Sequence, residues 1–193
     1  MGYKFEKYST GGGGNSEGNA LEGYFDGSAT EITLPNVTTI KENAFREDKI
    51  IKKVNLPNAT ETQNFAFAYA SYLEDVEMPK MEKIGINCFA SCYALNINAL
   101  PETLITIGQS AFSQCYALTL KEIPKNVNMV DSSAFFGCSA MTEITFKGKP
   151  ATIRGCFGSS GITKINVPWA SGEVSGAPWG ATNATINYNY TGG

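Results

Sequence analysis

The sequence contains no histidine. That removes the commonest general base at neutral pH, the serine and cysteine triads built on it, and the usual zinc centres. Basic residues are in the minority, with 15 lysines and arginines against 18 aspartates and glutamates and no basic block, so the electrostatic footprint of a nucleic-acid binder is missing. No apolar run approaches the ~18 residues that a membrane-crossing helix requires, which argues against membrane insertion. Residues 1–10 lack the apolar core of a secretory signal peptide, so an exported form would carry its signal upstream or would already have lost it. Nothing in these residues asks for a cofactor or a metal.

What the sequence does have is a beat. Phe45, Phe67, Phe89, Phe112, Phe135 and Phe157 follow one another at 22, 22, 23, 23 and 22 residues. A second marker keeps the same time, an apolar residue followed by proline at Leu34-Pro35, Leu56-Pro57, Met78-Pro79, Leu100-Pro101, Ile123-Pro124 and Val167-Pro168; one copy has Phe146-Lys147 instead. A fixed period of this length is the signature of a solenoid, whose coils cannot bury their own apolar edges and must stack to share a core. Each coil reads as three parts. A short alternating strand such as Lys53-Val54-Asn55-Leu56 comes first and is ended by the proline, which cannot donate to a ladder. A second extended piece closes on Ile40, Ile84, Ile107 or Val130, followed in two coils by Gly85 and Gly108. A tight turn around Ala-Phe, predicted as a single helical or 3₁₀ turn, then returns the chain to the strand. In-register stacking predicts that the six phenylalanines form one inner column.

The repeated phrase, seen in Ile107-Gly-Gln-Ser-Ala-Phe-Ser-Gln-Cys, resembles the BspA-like or Treponema-type leucine-rich repeat, roughly L-x-x-I-x-I-P-x-x-V-x-x-I-G-x-x-A-F-x-x-C, over residues 31–169. The resemblance implies a right-handed leucine-rich repeat solenoid of short parallel β-strands with 3₁₀ or single helical turns and a cap at each end. It also implies a bacterial, phage or protist surface protein acting in adhesion or interaction, hence an extracellular, cell-surface or virion location. Residues 1–18 read as an N-terminal segment and Gly-rich linker, suggesting a module cut from a longer polypeptide; 19–169 as the solenoid, opening on an atypical coil with Leu21, Tyr24, Phe25, Ile32 and Leu34; and 170–193 as a C-terminal cap. Trp169, closing the solenoid, and Trp179 in the cap are expected to cover the last coil, with a terminal strand over Thr185 to Tyr190. The tail is similar to that of repeat proteins encoded by phages and gut Firmicutes.

The five cysteines fall into two small-residue slots. Cys88 and Cys156 precede their phenylalanines, where other coils have alanine, and Cys92, Cys115 and Cys138 follow theirs by three residues. Cysteine serves as a small buried hydrophobe, so free buried thiols are expected over disulfides, and over a metal site for which Cys88-x-x-x-Cys92 has no partners.

Two surfaces are candidates for ligand binding. One is the polar ladder on the strand face, with Asn55, Glu77, Glu122, Thr145 and Asn166 among its rungs; the bland alternative is a solvated sheet face. The other is a tyrosine corner of Tyr72, Tyr93 and Tyr116, with Tyr69 nearby, offering amphipathic rings to sugars or proteins; the alternative is tyrosines packing on one another. Glu74, Asp75, Glu77, Glu122 and Glu143 are the carboxylates from which an acid pair would have to come, and solvated edge charge is the preferred reading. Finally, Leu95, Ile97, Leu100 and Leu118, Leu120, Ile123 depart from the usual apolar spacing, which predicts a bulge in those two coils with Asn98 and Lys121 turned outward. The reading that follows is a non-enzymatic module binding a host protein or a glycan, ahead of a purely structural spacer or cap of a phage tail or appendage, and of a glycan-active enzyme.

Overall fold

A computed structural model describes residues 20–21 and 29–192. The fold is a leucine-rich repeat solenoid in which every strand pair is parallel. The second extended piece of each coil builds one continuous seven-stranded sheet from β1 (Ala20–Leu21), β3 (Thr39–Ile40), β5 (Glu61–Thr62), β7 (Lys83–Ile84), β8 (Thr106–Ile107), β10 (Met129–Val130) and β12 (Thr152–Ile153). The strand before each proline builds the other wall, and that wall is split. β2 (Glu31–Thr33), β4 (Lys53–Asn55) and β6 (Asp75–Glu77) form three strands, while β9 (Glu122–Ile123), β11 (Glu143–Phe146), β13 (Lys164–Asn166) and β14 (Thr185–Asn187) form four. Tyr24 and Phe25 of the expected first coil lie outside the described residues, whereas Ile32 and Leu34 pack on the core.

The split falls at the irregular coils. Residues 97–99 form no strand, yet Ile97 and Leu120 are buried while Asn98 and Lys121 are exposed, as the altered spacing predicts. Where Glu74 donates its N–H to the Lys52 carbonyl and Asn96 to that of Glu74, Thr119 instead donates to the side-chain Oδ1 of Asn96, at 3.0 Å. The asparagine thus substitutes for the ladder at the point where the ladder slips.

The phenylalanine column is continuous. Successive rings from Phe45 to Phe157 stack with centroids 4.8, 5.2, 5.2, 5.5 and 5.7 Å apart, all of them buried. The turns that carry them are not helical, which corrects the sequence expectation; among the described residues there is no helix. Each is a chain of i→i+3 turns, such as Ala44 N–H to Lys41 O, Arg46 to Asn43 and Asp48 to Phe45. From the Phe45 coil to the Phe135 coil the residues two before and two after the phenylalanine take positive φ, as at Asn43 and Glu47, Phe65 and Tyr69, or Asn87 and Ser91. A left-handed residue at every fourth position forbids a helix from propagating and gives the turns the φ requirement of type II. In return the N–H groups of alternate residues point to the next coil: Asn43, Phe45 and Glu47 donate to Asn64, Ala66 and Ala68. This is a third ladder, built without strands.

All five cysteines are free and buried. The slot three after phenylalanine has a specific use, because Cys92, Cys115 and Cys138 donate their thiols to the carbonyls of Phe67, Phe89 and Phe112 in the preceding coil at 3.0–3.1 Å. Close stacking sets a second demand at Gly108, where a Cβ would come 2.9 Å from the backbone carbonyl carbon of Gly85. At the C-terminal end the two tryptophans are buried as expected. Trp179 gives its carbonyl to Phe157 N–H, closing the third ladder, while Trp169 packs edge-on against Phe146 at 5.5 Å. The terminal strand is shorter than expected, ending at Asn187.

Removing one ring from the column leaves a cavity that neighbours locked in a ladder cannot collapse into, so Phe112→Ala is expected to cost about 3–5 kcal/mol, against within about 0.5 kcal/mol for the exposed Tyr72→Ala, read by chemical denaturation. Burial pushes the Cys88 and Cys138 thiols up to about 12, so the reactive thiolate is absent at pH 8. The folded protein is therefore expected to release no colour from Ellman's reagent at that pH, and the equivalent of five thiols once denatured.

Candidate functional site

The strand-face ladder lies in the register the sequence predicts, with Thr33 opposite Asn55, Asn55 opposite Glu77, Glu122 opposite Thr145 and Thr145 opposite Asn166. It is not one surface, because the missing strand at Ala99 separates Glu77 from Glu122. The expectation for Asn166 needs correcting. It is fully buried, donating Nδ2 to Glu143 Oε1 at 2.7 Å and to Thr145 Oγ1 at 3.0 Å, and accepting from Asn187 Nδ2 at 2.8 Å. The returning strand β14 covers it, so its polar groups serve the cap. Asn55 and Thr145 are half-buried, and Glu77 and Glu122 are exposed.

The charges of this wall pair with each other along the solenoid. Lys52 meets Glu74 at 2.9 Å, Lys147 meets Glu122 at 2.9 Å and Lys164 meets Glu143 at 2.8 Å, each across a coil junction. The hydrogen bond from Lys164 holds the Glu143 carboxyl below its usual range, the reverse of what a general acid at neutral pH requires. Exposed pairs of this kind contribute ~0–1 kcal/mol each and mainly prevent like charges from meeting in the ladder. At the sheet break, Asn98, Ala99, Glu102, Thr119 and Lys121 border a shallow depression of about 480 Å³.

The tyrosine corner is the more pronounced feature. Tyr72, Tyr93 and Tyr116 are 56%, 45% and 47% exposed, and Ile50 and Tyr69 are also exposed. Tyr93 and Tyr116 stack with centroids 5.3 Å apart and planes within 5°, as their equivalent slots dictate, and Tyr72 stands outside that stack. Stacking has a chemical consequence. The facing sides of the pair cover each other, so much of what solvent meets is ring edge and phenolic hydroxyl.

Sequence reasoning missed the group at the N-terminal side of this corner. The Arg46 guanidinium lies 5.3 Å from the Phe65 ring centroid and 5.7 Å from that of Tyr69, cation–π contacts made across a coil junction. Phe65 and Tyr69 both hold positive φ, 57° and 63°, where other coils place mostly asparagine, serine, glutamine or glycine. The only signal was that aromatics occupied slots that the other coils fill with small or polar residues. Lys49 adds a second cation, its Nζ donating to the Tyr69 carbonyl at 3.2 Å.

Among the described residues no group of three or more Cys, Asp or Glu side chains is placed to hold a metal ion, and no helix is long and apolar enough to cross a membrane.

Comparison with known proteins agrees with this geometry. The solved structure of a leucine-rich repeat protein from T. pallidum, TpLRR, superposes with a TM-score of 0.63 at 23% identity, covering 86% of this chain and 72% of that one. A leucine-rich repeat protein from Bacteroides ovatus gives 0.62 at 24%, covering 85% of this chain and 45% of that one. The pneumococcal vaccine antigen PcpA gives 0.62 at 17%, covering 86% of this chain and 44% of that one. These likenesses show a shared fold, and this chain spans less than half the length of the latter two. No curated protein matches it in sequence. The model of the BspA type leucine rich repeat region, in six copies, matches residues 22–120 and 60–174. With most of its length matched coil by coil, the chain belongs to the BspA-type leucine-rich repeat family.

Proposed function

We infer that the protein is a non-enzymatic binding module of a bacterial surface, and that it contacts a protein partner through its tyrosine corner. The observation that carries this reading is the set of exposed side chains Ile50, Tyr72, Tyr93 and Tyr116, four or five residues after successive phenylalanines of the column, together with Tyr69, Arg46 and Lys49. Four successive coils leave a large side chain, isoleucine or tyrosine, in water after the turn, although the same period buries the six phenylalanines of the inner column. Tyrosine and arginine are the residue types that dominate protein interfaces, since they supply large contact area together with hydrogen-bonding tips. The stacking favours a protein over a sugar. A sugar ring docks on an open aromatic face, and the Tyr93–Tyr116 pair spends one face of each ring on the other. Membership of the BspA-type family and the shared fold with a pneumococcal vaccine antigen support a location at the cell surface.

The Y72A/Y93A/Y116A variant should fold as the wild type does, because these side chains project outward. Biotinylated protein is expected to bind epithelial cells saturably in flow cytometry, and the triple variant to bind at least ~10-fold more weakly, as loss of hot-spot residues implies. Protease treatment of the cells is expected to abolish the signal and enzymatic deglycosylation to leave it. Equal binding by variant and wild type would refute the assignment, and a signal lost on deglycosylation alone would transfer it to glycans.

A further inference from the structure

The two walls of the solenoid end differently. The strand-face wall is finished by β14, which pairs with β13 in register from Lys164–Thr185 to Asn166–Asn187. The seven-stranded wall ends on β12, with no strand beyond it among the described residues. In each coil from β3 to β10, the carbonyl just before the strand accepts from the next coil: Thr38 O from Thr60, Thr60 O from Glu82, Glu82 O from Ile105, Ile105 O from Asn128 and Asn128 O from Thr152. The carbonyl at the strand's end does likewise at Ile40, Ile84, Ile107 and Val130. The equivalent carbonyls of the last coil, Ala151 O and Ile153 O, accept from nothing among the described residues. None of the described residues fills the place. The cap segment stands opposite, so that residues 149–154 and 172–175 form the two sides of a groove of about 540 Å³. The ion pair between Lys149 and Glu173, 2.6 Å, bridges the sides at one end. At the other end Arg154 bonds Asp131 through Nη1 at 2.9 Å and is 60% exposed, so the rest of its donor fork faces water.

We propose that this groove takes an extended segment of another polypeptide, which adds to β12 as a parallel eighth strand. The edge supplies backbone acceptors at the spacing of the ladder, and main-chain pairing of this kind is a general mode of peptide capture. The side chains state what the segment must carry. Continuing the inward column of Val130 and Ile153 calls for a valine or isoleucine, and the residue after it, alongside Arg154, calls for a carboxylate. Asp131 already shows that pairing one coil earlier. The inference is independent of the tyrosine corner.

The probe is a fluorescein-labelled peptide with the sequence of residues 125–133 of this protein, KNVNMVDSS, whose Val-Asp would align with Ile153 and Arg154. Titration with the full chain is expected to raise its fluorescence anisotropy to saturation. Methylating the backbone nitrogens of its Met and Asp, which would face Ala151 O and Ile153 O, is expected to weaken binding at least ~10-fold, about what a lost pair of hydrogen bonds implies. Arg154→Glu in the protein is expected to weaken the parent peptide and to favour one with lysine in place of its aspartate. Thermal unfolding of that variant checks that it remains folded, and the methylated peptide tests the wild-type protein whatever the variant does. No saturable binding up to about 1 mM, a methylated peptide that binds as well as the parent, or indifference to the charge exchange overturns the proposal. Self-association of the protein that the peptide competes away would put a second copy in the groove and equally overturn its assignment to a separate partner.

Discussion

The structure rests on one distance. Hydrogen-bonded strands repeat every ~4.8 Å, and aromatic rings stack at nearly the same interval. A chain that places a phenylalanine once per coil can therefore satisfy both with one period, and the rings here repeat at 4.8–5.7 Å. Slipping a single coil by one residue would take a ring out of the column and break three ladders together. The register is thus fixed by many weak contacts that share one condition. Where the sequence does slip, at Leu95–Leu100 and Leu118–Ile123, the column of rings continues through Phe89, Phe112 and Phe135, and it is the strand-face sheet that gives way.

The column imposes a conformational demand on its turns. To hold a ring inward while alternate N–H groups point along the solenoid axis, each coil keeps residues in the left-handed region, at a cost of roughly 1–2 kcal/mol for a residue with a Cβ. Asn43, Asn87 and Gly137 are natural choices there; Glu47, Phe65, Tyr69 and Gln114 are not. Those residues stay because three coil-to-coil hydrogen bonds at each junction, a buried ring and, in the middle coils, a thiol bonded to the phenylalanine carbonyl over-determine the turn. The same geometry decides what faces outward. A residue four or five after each phenylalanine leaves the turn toward solvent, and in this chain it is Ile50, Tyr72, Tyr93 and Tyr116.

How much of this was legible in the sequence follows from what periodicity encodes. Stacking of equivalent positions is written directly in the repeat, so the phenylalanine column, the buried thiols, the Tyr93–Tyr116 pair and the outward turn of Asn98 and Lys121 could be read from spacing alone. Contacts between inequivalent positions are not written there. The Arg46 contact with Phe65 and Tyr69 joins different slots of adjacent coils, and the burial of Asn166 depends on where the tail returns. The turn was read as a single helical or 3₁₀ turn because only some of its left-handed slots carry an asparagine or glycine, as at Asn43, Asn87 and Gly137, while others such as Phe65 and Gln114 do not announce themselves. The open edge of β12 was invisible for another reason: it arises from the path that residues 170–178 take past a strand, which leaves Ala151 O without the described partner that the equivalent carbonyls have from β3 to β10.

The functional reading follows from the same wall-like chemistry. The inner column takes one phenylalanine per coil, so the aromatic residues left outside it, and the ladder ends without a described partner, are where contact with other molecules is to be sought. All of it presupposes the inner column. Its most direct test is a nuclear Overhauser experiment on protein labelled in the phenylalanine rings. The account predicts an unbroken chain of inter-ring contacts running Phe45, Phe67, Phe89, Phe112, Phe135, Phe157 in that order. Rings that show contacts only to residues of their own coil, with no link from one phenylalanine to the next, would contradict it.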